Sequence, residues 1–245
     1  MSLVKCDKVR KYFPVVRGYL KGVHGTVKAV DGVSLSIEKG QTYGLVGESG
    51  CGKTTLGKIV LGILKPDSGR VEVGSERMQV VFQDPANSLD PKMKVLDILA
   101  EGLVLRQEPK GAIKQKVEEA LGLVNLPKGV LRKYPHEFSG GERQRIAIAR
   151  AVLTEPEFIV CDEPVSSLDV TIQLQILNLL KDIQKKFSIT YLFISHDLRV
   201  IKFMCDRVAV MKEGRIVEEG STQDLYLRPQ HPYTKILLSS ILTIS

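Results

Sequence analysis

Eight consecutive residues, Gly47-Glu48-Ser49-Gly50-Cys51-Gly52-Lys53-Thr54, place two glycines, a lysine and a hydroxyl at the spacing of a phosphate-binding loop. Glycines let the main chain curl until several N–H groups face one anion, and a helix starting near Lys53 adds its positive end. Lys53 would reach the β- and γ-phosphates of a nucleoside triphosphate, and the Thr54 hydroxyl would ligate Mg²⁺. A second string, Phe158-Ile159-Val160-Cys161-Asp162-Glu163, ends an apolar run in two carboxylates. Asp162 suits the shell of a Mg²⁺ ion, and Glu163 suits a general base that polarises water. A strand ending in acids is common by itself; beside a phosphate loop it points to hydrolysis. In a third string, Phe138-Ser139-Gly140-Gly141-Glu142-Arg143-Gln144-Arg145, Ser139 fits a helix N-cap and the glycine pair permits close approach to an anion. Alone, this string reads equally well as an ordinary cap.

These residues need elements to hold them. Apolar runs at Thr42–Val46, Met78–Phe82, Phe158–Cys161 and Tyr191–Ile194 have the length and β-branched or aromatic content of strands buried on both faces. Apolar residues at three- and four-residue spacing predict helices over Leu56–Leu64, Ile113–Leu123, Glu142–Leu153 and Ile172–Phe187. Strands alternating with helices predict an α/β fold with a mostly parallel sheet. The stretch from Asp84 to Glu155 carries helix signals and no strand signal, and predicts an inserted helical lobe. Val27–Val30 and Val33–Ile37 alternate like N-terminal antiparallel strands, Arg17–Thr26 predicts a loop with three glycines, and Arg215–Glu218 predicts a last strand.

The chain has 245 residues, 43% of them hydrophobic and 26% charged, which is enough for one large domain with its own core. Its apolar runs are too short to span a bilayer, and no leader pattern opens it, so the expected location is the cytoplasm. Cys6, Cys51, Cys161 and Cys205 stand apart, without metal-ligand spacing, and predict free thiols. A net charge of +7 invites a nucleic-acid reading, but the basic residues are scattered, and attraction to nucleotide or anionic lipid accounts for the sign equally well.

The three strings, in this order, resemble the ATPase subunit of ATP-binding-cassette (ABC) transporters over essentially the whole chain. Ser139-Gly140-Gly141 is similar to the family's signature motif, with Phe138 and Glu142 where leucine and glutamine are commoner. Val81-Phe82-Gln83-Asp84 resembles its glutamine loop, Ser166-Ser167-Leu168-Asp169 its D-loop, and Ile194-Ser195-His196-Asp197 its switch histidine. The resemblance implies one ABC ATPase domain, with a P-loop α/β core at 1–84 and 155–227, a helical lobe at 85–154 and a C-terminal segment at 228–245. It implies ATP and Mg²⁺ as cofactors. Glu163, His196, Lys53 and Gln83 would be catalytic, and Thr54, Gln83 and Asp162 would meet the metal. The ATP-binding set would be Gly47 through Thr54 with Thr55, together with Tyr12 for adenine stacking and Val30 for packing. Phe13 is a neighbouring candidate for the stack. Family members dimerise head to tail, so Ser139, Gly140, Gly141, Glu142 and Asp169 would serve the partner's nucleotide.

Tyr134-Pro135-His136-Glu137-Phe138-Ser139-Gly140-Gly141, Asp84-Pro85-Ala86-Asn87-Ser88-Leu89-Asp90-Pro91 and His231-Pro232-Tyr233-Thr234 are similar to the oligopeptide/dipeptide (and nickel) importer branch. The Arg17–Thr26 segment also fits the branch's F-type ATPase. That branch usually continues beyond the point where Ser245 ends this chain, and the late cysteines by which some members hold an iron–sulfur cluster are missing here. The resemblance implies a second, D-type ATPase subunit, two transmembrane permease subunits, an extracytoplasmic substrate-binding protein reached indirectly, and no nucleic-acid partner. It also implies a peripheral place on the cytoplasmic face of the membrane. The expected cargo is oligopeptide or dipeptide, with nickel or oligosaccharide as alternatives. A nucleic-acid-associated ABC ATPase is a competing class, disfavoured by a single cassette without coiled-coil insertions. A catalytically dead cassette is disfavoured because Lys53, Asp162, Glu163 and His196 are all present.

Overall fold

The computed structural model describes residues 2–17, 22–84 and 88–242. Along the chain come β1 (Ser2–Arg17), β2 (Gly22–Glu38), β3 (Thr42–Val46), α1 (Lys53–Val60), β4 (Ser68–Val73) and β5 (Met78–Val81). Helices α2 (Val95–Leu105), α3 (Lys110–Leu123) and α4 (Gly140–Leu153) follow, then β6 (Phe158–Asp162), α5 (Val170–Phe187) and β7 (Thr190–Ser195). The chain continues through α6 (Leu198–Met204), β8 (Arg207–Lys212), β9 (Arg215–Ser221), α7 (Thr222–Leu227) and α8 (Pro232–Leu242). Two compact units divide it, one made of Met1–Glu76 with Thr190–Ser245 and the other of Arg77–Ile189.

In the first unit β1 lies between β2 and β4, antiparallel to both. β3 lies between β7 and β8, parallel to both, and β9 closes the edge antiparallel to β8. All five residues of β3 and all six of β7 are buried, so both strands need cover on two faces; that requirement explains their unbroken apolar character. In the second unit β5 and β6 pair in parallel. Its helices bury Ile98, Leu99 and Leu103 from α2, Val117 and Leu121 from α3, and Ile146 and Ile148 from α4. The result is the expected α/β class: mostly parallel strands, an antiparallel N-terminal sheet, and a run of helices from 95 to 153. No helix among the described residues is long and apolar enough to cross a membrane.

Several local expectations need correction. The segment Arg17–Thr26 is not a loop throughout: β1 reaches Arg17 and β2 begins at Gly22, with Arg17 opposite Gly22 and Pro14 opposite Thr26. Cross-strand pairing satisfies backbone groups that the glycines would otherwise leave to solvent; residues 18–21 lie outside the described residues. Val27–Val30 and Val33–Ile37 belong to one strand, which passes through Gly32 at φ 74°. The helix expected over Leu56–Leu64 stops at Val60, because Gly62 takes a left-handed φ of 72°. Of the Asp84–Pro91 string, Pro85, Ala86 and Asn87 lie outside the described residues. The four cysteines are free and buried, as expected.

Candidate functional site

The loop from Gly47 to Gly52 joins β3 to α1, and two of its glycines are forced by their neighbours. A Cβ on Gly47 would lie 2.1 Å from the Met211 carbonyl oxygen, and one on Gly52, whose φ is 110°, would lie 1.9 Å from that of Ala29. No side chain fits at either place. Lys53 is 5% exposed, and its ammonium donates to the carbonyls of Gly47 at 2.7 Å and Glu48 at 2.9 Å. These bonds hold one cation within the turn at the N-terminus of α1, where the helix dipole also favours negative charge. Glu48, Ser49, Gly50 and Thr54 are exposed, Thr55 is half-buried, and Cys51 is buried. Burial raises the Cys51 thiol above its usual range despite the nearby Lys53.

His196 reaches the same edge through strand register. Val46, the last residue of β3, pairs with Ser195, the last of β7. Gly47 and His196 therefore leave neighbouring parallel strands at their carboxyl ends, where open α/β sheets bind ligands. His196 is exposed. After it, the Asp197 carboxylate accepts from the Arg199 N–H at 2.8 Å and caps α6.

Tyr12 lies on β1, half-buried, with its hydroxyl donating to Asp31 Oδ1 at 2.6 Å. Asp31 Oδ2 accepts from the Arg215 guanidinium at 2.6 and 2.9 Å. The tyrosine hydroxyl, and then Arg215, hold the Asp31 carboxyl below its ordinary range. Thus one carboxylate fixes the edge of the Tyr12 ring, while Lys28 Nζ stands 5.8 Å from its centroid. Phe13 has no such anchor in its hydroxyl-free ring and is 39% exposed. Val30 has no exposed surface, so it shapes this region from behind. Asp31 and Arg215 were not legible as site residues, since 184 positions separate them.

In the second unit, Val81 pairs with Cys161, so β5 and β6 deliver Gln83 and the Asp162–Glu163 pair to one end. Glu163 has a φ of 49°, a left-handed value that costs a non-glycine residue about 1 kcal/mol. Its carbonyl accepts from the Ser166 N–H at 3.3 Å and the Ser166 hydroxyl at 3.1 Å, which closes the turn. Asp169 caps α5 by accepting from the Ile172 N–H at 3.0 Å. Ser139 caps α4, and Glu142 completes a capping box: its carboxylate accepts from the Ser139 N–H at 2.9 Å and the Ser139 hydroxyl at 2.8 Å. Those two bonds, the backbone one foremost, keep the Glu142 carboxyl below its usual range. Gly141 lets this turn approach α5, since a Cβ there would lie 2.6 Å from Ile172 Cγ2.

Thr54, Gln83 and Asp162 offer oxygen donors of the kind a hard divalent cation takes. Among the described residues no group of three or more histidine, cysteine, aspartate or glutamate side chains could hold a metal alone. Mg²⁺ is bound through few protein oxygens and shares its shell with phosphates, so each of these oxygens is of a type it accepts.

A profile of the ABC transporter family matches residues 30–166, which contain the phosphate loop, Gln83, the Ser139 turn and the Asp162–Glu163 strand. This chain belongs to the ABC transporter family. The oligopeptide transport ATP-binding protein OppF of Bacillus subtilis is 49% identical over 98% of this chain and 82% of its own length. A putative peptide import ATP-binding protein of Brucella ovis is 49% identical over 92% of this chain and 77% of its own. Among solved structures, cbiO1 from Clostridium perfringens, part of the ABC transporter complex cbiONQ, matches with a TM-score of 0.78 at 29% identity, covering 93% and 91% of the two chains. A dimeric post-hydrolysis state of the cassette MJ0796, bound to ADP and Pi, matches with a TM-score of 0.78 at 25% identity over 89% and 98%. The ABC family match stops at residue 166, so His196 and the later strands rest on the fold and on the relatives.

Proposed function

We propose that this ABC family member is the ATP-binding subunit of a peptide importer, hydrolysing MgATP to drive uptake of oligopeptides or dipeptides. The observation that carries the nucleotide reading is Lys53, a buried cation bonded to the carbonyls of Gly47 and Glu48 within a turn whose Gly47 and Gly52 tolerate no side chain. Loop amides and the start of α1 supply the remaining pull on the phosphates. Bound Mg²⁺ would neutralise phosphate charge as the γ-phosphoryl leaves. Thr54, Gln83 and Asp162 are the residues proposed to hold it.

Glu163 is the proposed general base, taking a proton from the attacking water, and His196 the proposed γ-phosphate contact. Tyr12, steadied by Asp31, gives the adenine a flat face with little rotamer entropy to lose. Ser139, Gly140 and Gly141 would serve the nucleotide of a facing cassette, with Glu142 and Asp169 beside them. The peptide cargo follows from the names of relatives 49% identical to this chain. The proposed partners, two permease subunits, a second and related ATPase subunit and a binding protein outside the membrane, rest on the resemblance to the importer branch.

The test is reconstitution with the second ATPase subunit, the permease subunits and the binding protein in proteoliposomes. ATP inside should drive accumulation of a labelled pentapeptide, and Glu163→Gln should lower uptake and ATP turnover by about a thousandfold while MgATP still binds. Turnover at the normal rate in Glu163→Gln would remove the general base. Accumulation of nickel or oligosaccharide in place of peptide would overturn the cargo.

A further inference from the structure

The phosphate loop is held by a helix that lies outside the family match. The Glu48 N–H donates to the Tyr233 hydroxyl oxygen at 3.2 Å, across 185 positions of sequence. Tyr233, in the first turn of α8, is 6% exposed, and Lys212 Nζ stands 4.9 Å from its ring centroid. The entry to α8 is fixed in turn by Glu218 of β9, which accepts from the N–H groups of Gln230 at 2.8 Å and His231 at 3.0 Å. Burial would raise the Glu218 carboxyl, yet these amide donors keep it below its ordinary range. The imidazole of His231 then accepts from the Tyr233 N–H at 3.2 Å. Each link fixes the next, from a strand carboxylate to a helix start to a tyrosine hydroxyl to an amide of the loop.

We propose that Tyr233 is a positioning residue for the phosphate loop, so that docking of α8 sets the affinity for nucleotide. Glu48 is exposed and its backbone has no strand or helix to steady it. A loop already held in its binding shape loses less conformational freedom when the ligand arrives. Without the hydroxyl, the Glu48 N–H loses its acceptor and the loop gains freedom, with the chemistry at Glu163 untouched. The inference rests on reading this loop as the nucleotide site.

Calorimetric titration of the full chain with MgADP tests it in wild type, Tyr233→Phe and Tyr226→Phe. Tyr226 donates its hydroxyl to the Leu198 carbonyl, away from the loop, and controls for loss of a buried hydroxyl. Tyr233→Phe should bind about fivefold more weakly, as loss of one hydrogen bond implies, while Tyr226→Phe binds like wild type. In the assembled transporter, Tyr233→Phe should raise KM for ATP by a similar factor and leave kcat within about twofold. Equal affinity of Tyr233→Phe and wild type would overturn the proposal, as would an equal loss in both variants. Absence of binding by wild type would instead overturn the nucleotide reading.

Discussion

Glu142 places a carboxylate beside Ser139, where the family resemblance leads one to expect glutamine. Its carboxylate occupies both the N–H and the hydroxyl of Ser139, the two donors proposed above to serve a facing cassette's nucleotide. The same charge stabilises the first turn of α4 through the helix dipole. Glu142→Gln keeps an oxygen acceptor for the capping box and removes the charge. It should cost about 0.5 kcal/mol of folding stability in urea denaturation. In a Glu163→Gln background, it should tighten MgATP-driven association with the second ATPase subunit severalfold in sedimentation, less so at high salt. Unchanged association would separate Glu142 from the partner's nucleotide. The sign of the pH effect follows from the depressed carboxyl, whose unfolded value is near 4.5. Its contribution is complete above that value and is lost as pH falls through the lower folded one.

Among the elements, the β3–loop–α1 unit was legible because its motif spacing and its buried strand point to the same structure. The glycine at position 52 tests how tightly that unit is built. Gly52→Ala sets a methyl group against the Ala29 carbonyl oxygen at a φ of 110°. The substitution should destabilise the fold by about 3 kcal/mol and abolish nucleotide binding, measured by denaturation and titration. β1 was not legible, for a physical reason. Leu3, Val4, Cys6 and Val9 are buried, but the pairing shifts between Cys6 and Val9, with Lys8 at φ 48°, and the two-residue alternation changes phase there. The end of α1 was misplaced because apolar spacing runs on through Leu64, whereas Gly62 decides where the backbone turns. In the third string, cap and anion site are both open from sequence; the structure shows the capping box, and the anion role stays a proposal.

For the whole chain, the strings proposed to carry the chemistry are local in sequence, and their supports are not. Lys53, Asp162, Glu163 and His196 sit in short strings whose meaning is contained in a few residues. Asp31 with Arg215, and Tyr233 with Glu48, become neighbours only when segments far apart in sequence come together, so no spacing announces them. The net charge of +7 was a weak guide, since the basic residues that matter act singly: Lys53 in its loop and Arg215 on Asp31. Any ligand that binds only the folded chain must stabilise it by mass action, so nucleotide binding is a property of the entire molecule. The most direct measurement is therefore a calorimetric titration of wild type and Lys53→Ala with MgATP. Wild type should take up one nucleotide per chain, and Lys53→Ala should bind at least about thirtyfold more weakly, as loss of a charge-assisted contact implies. Identical titrations of the two proteins would contradict the assignment of the Gly47–Thr54 loop as the site where this chain grips ATP.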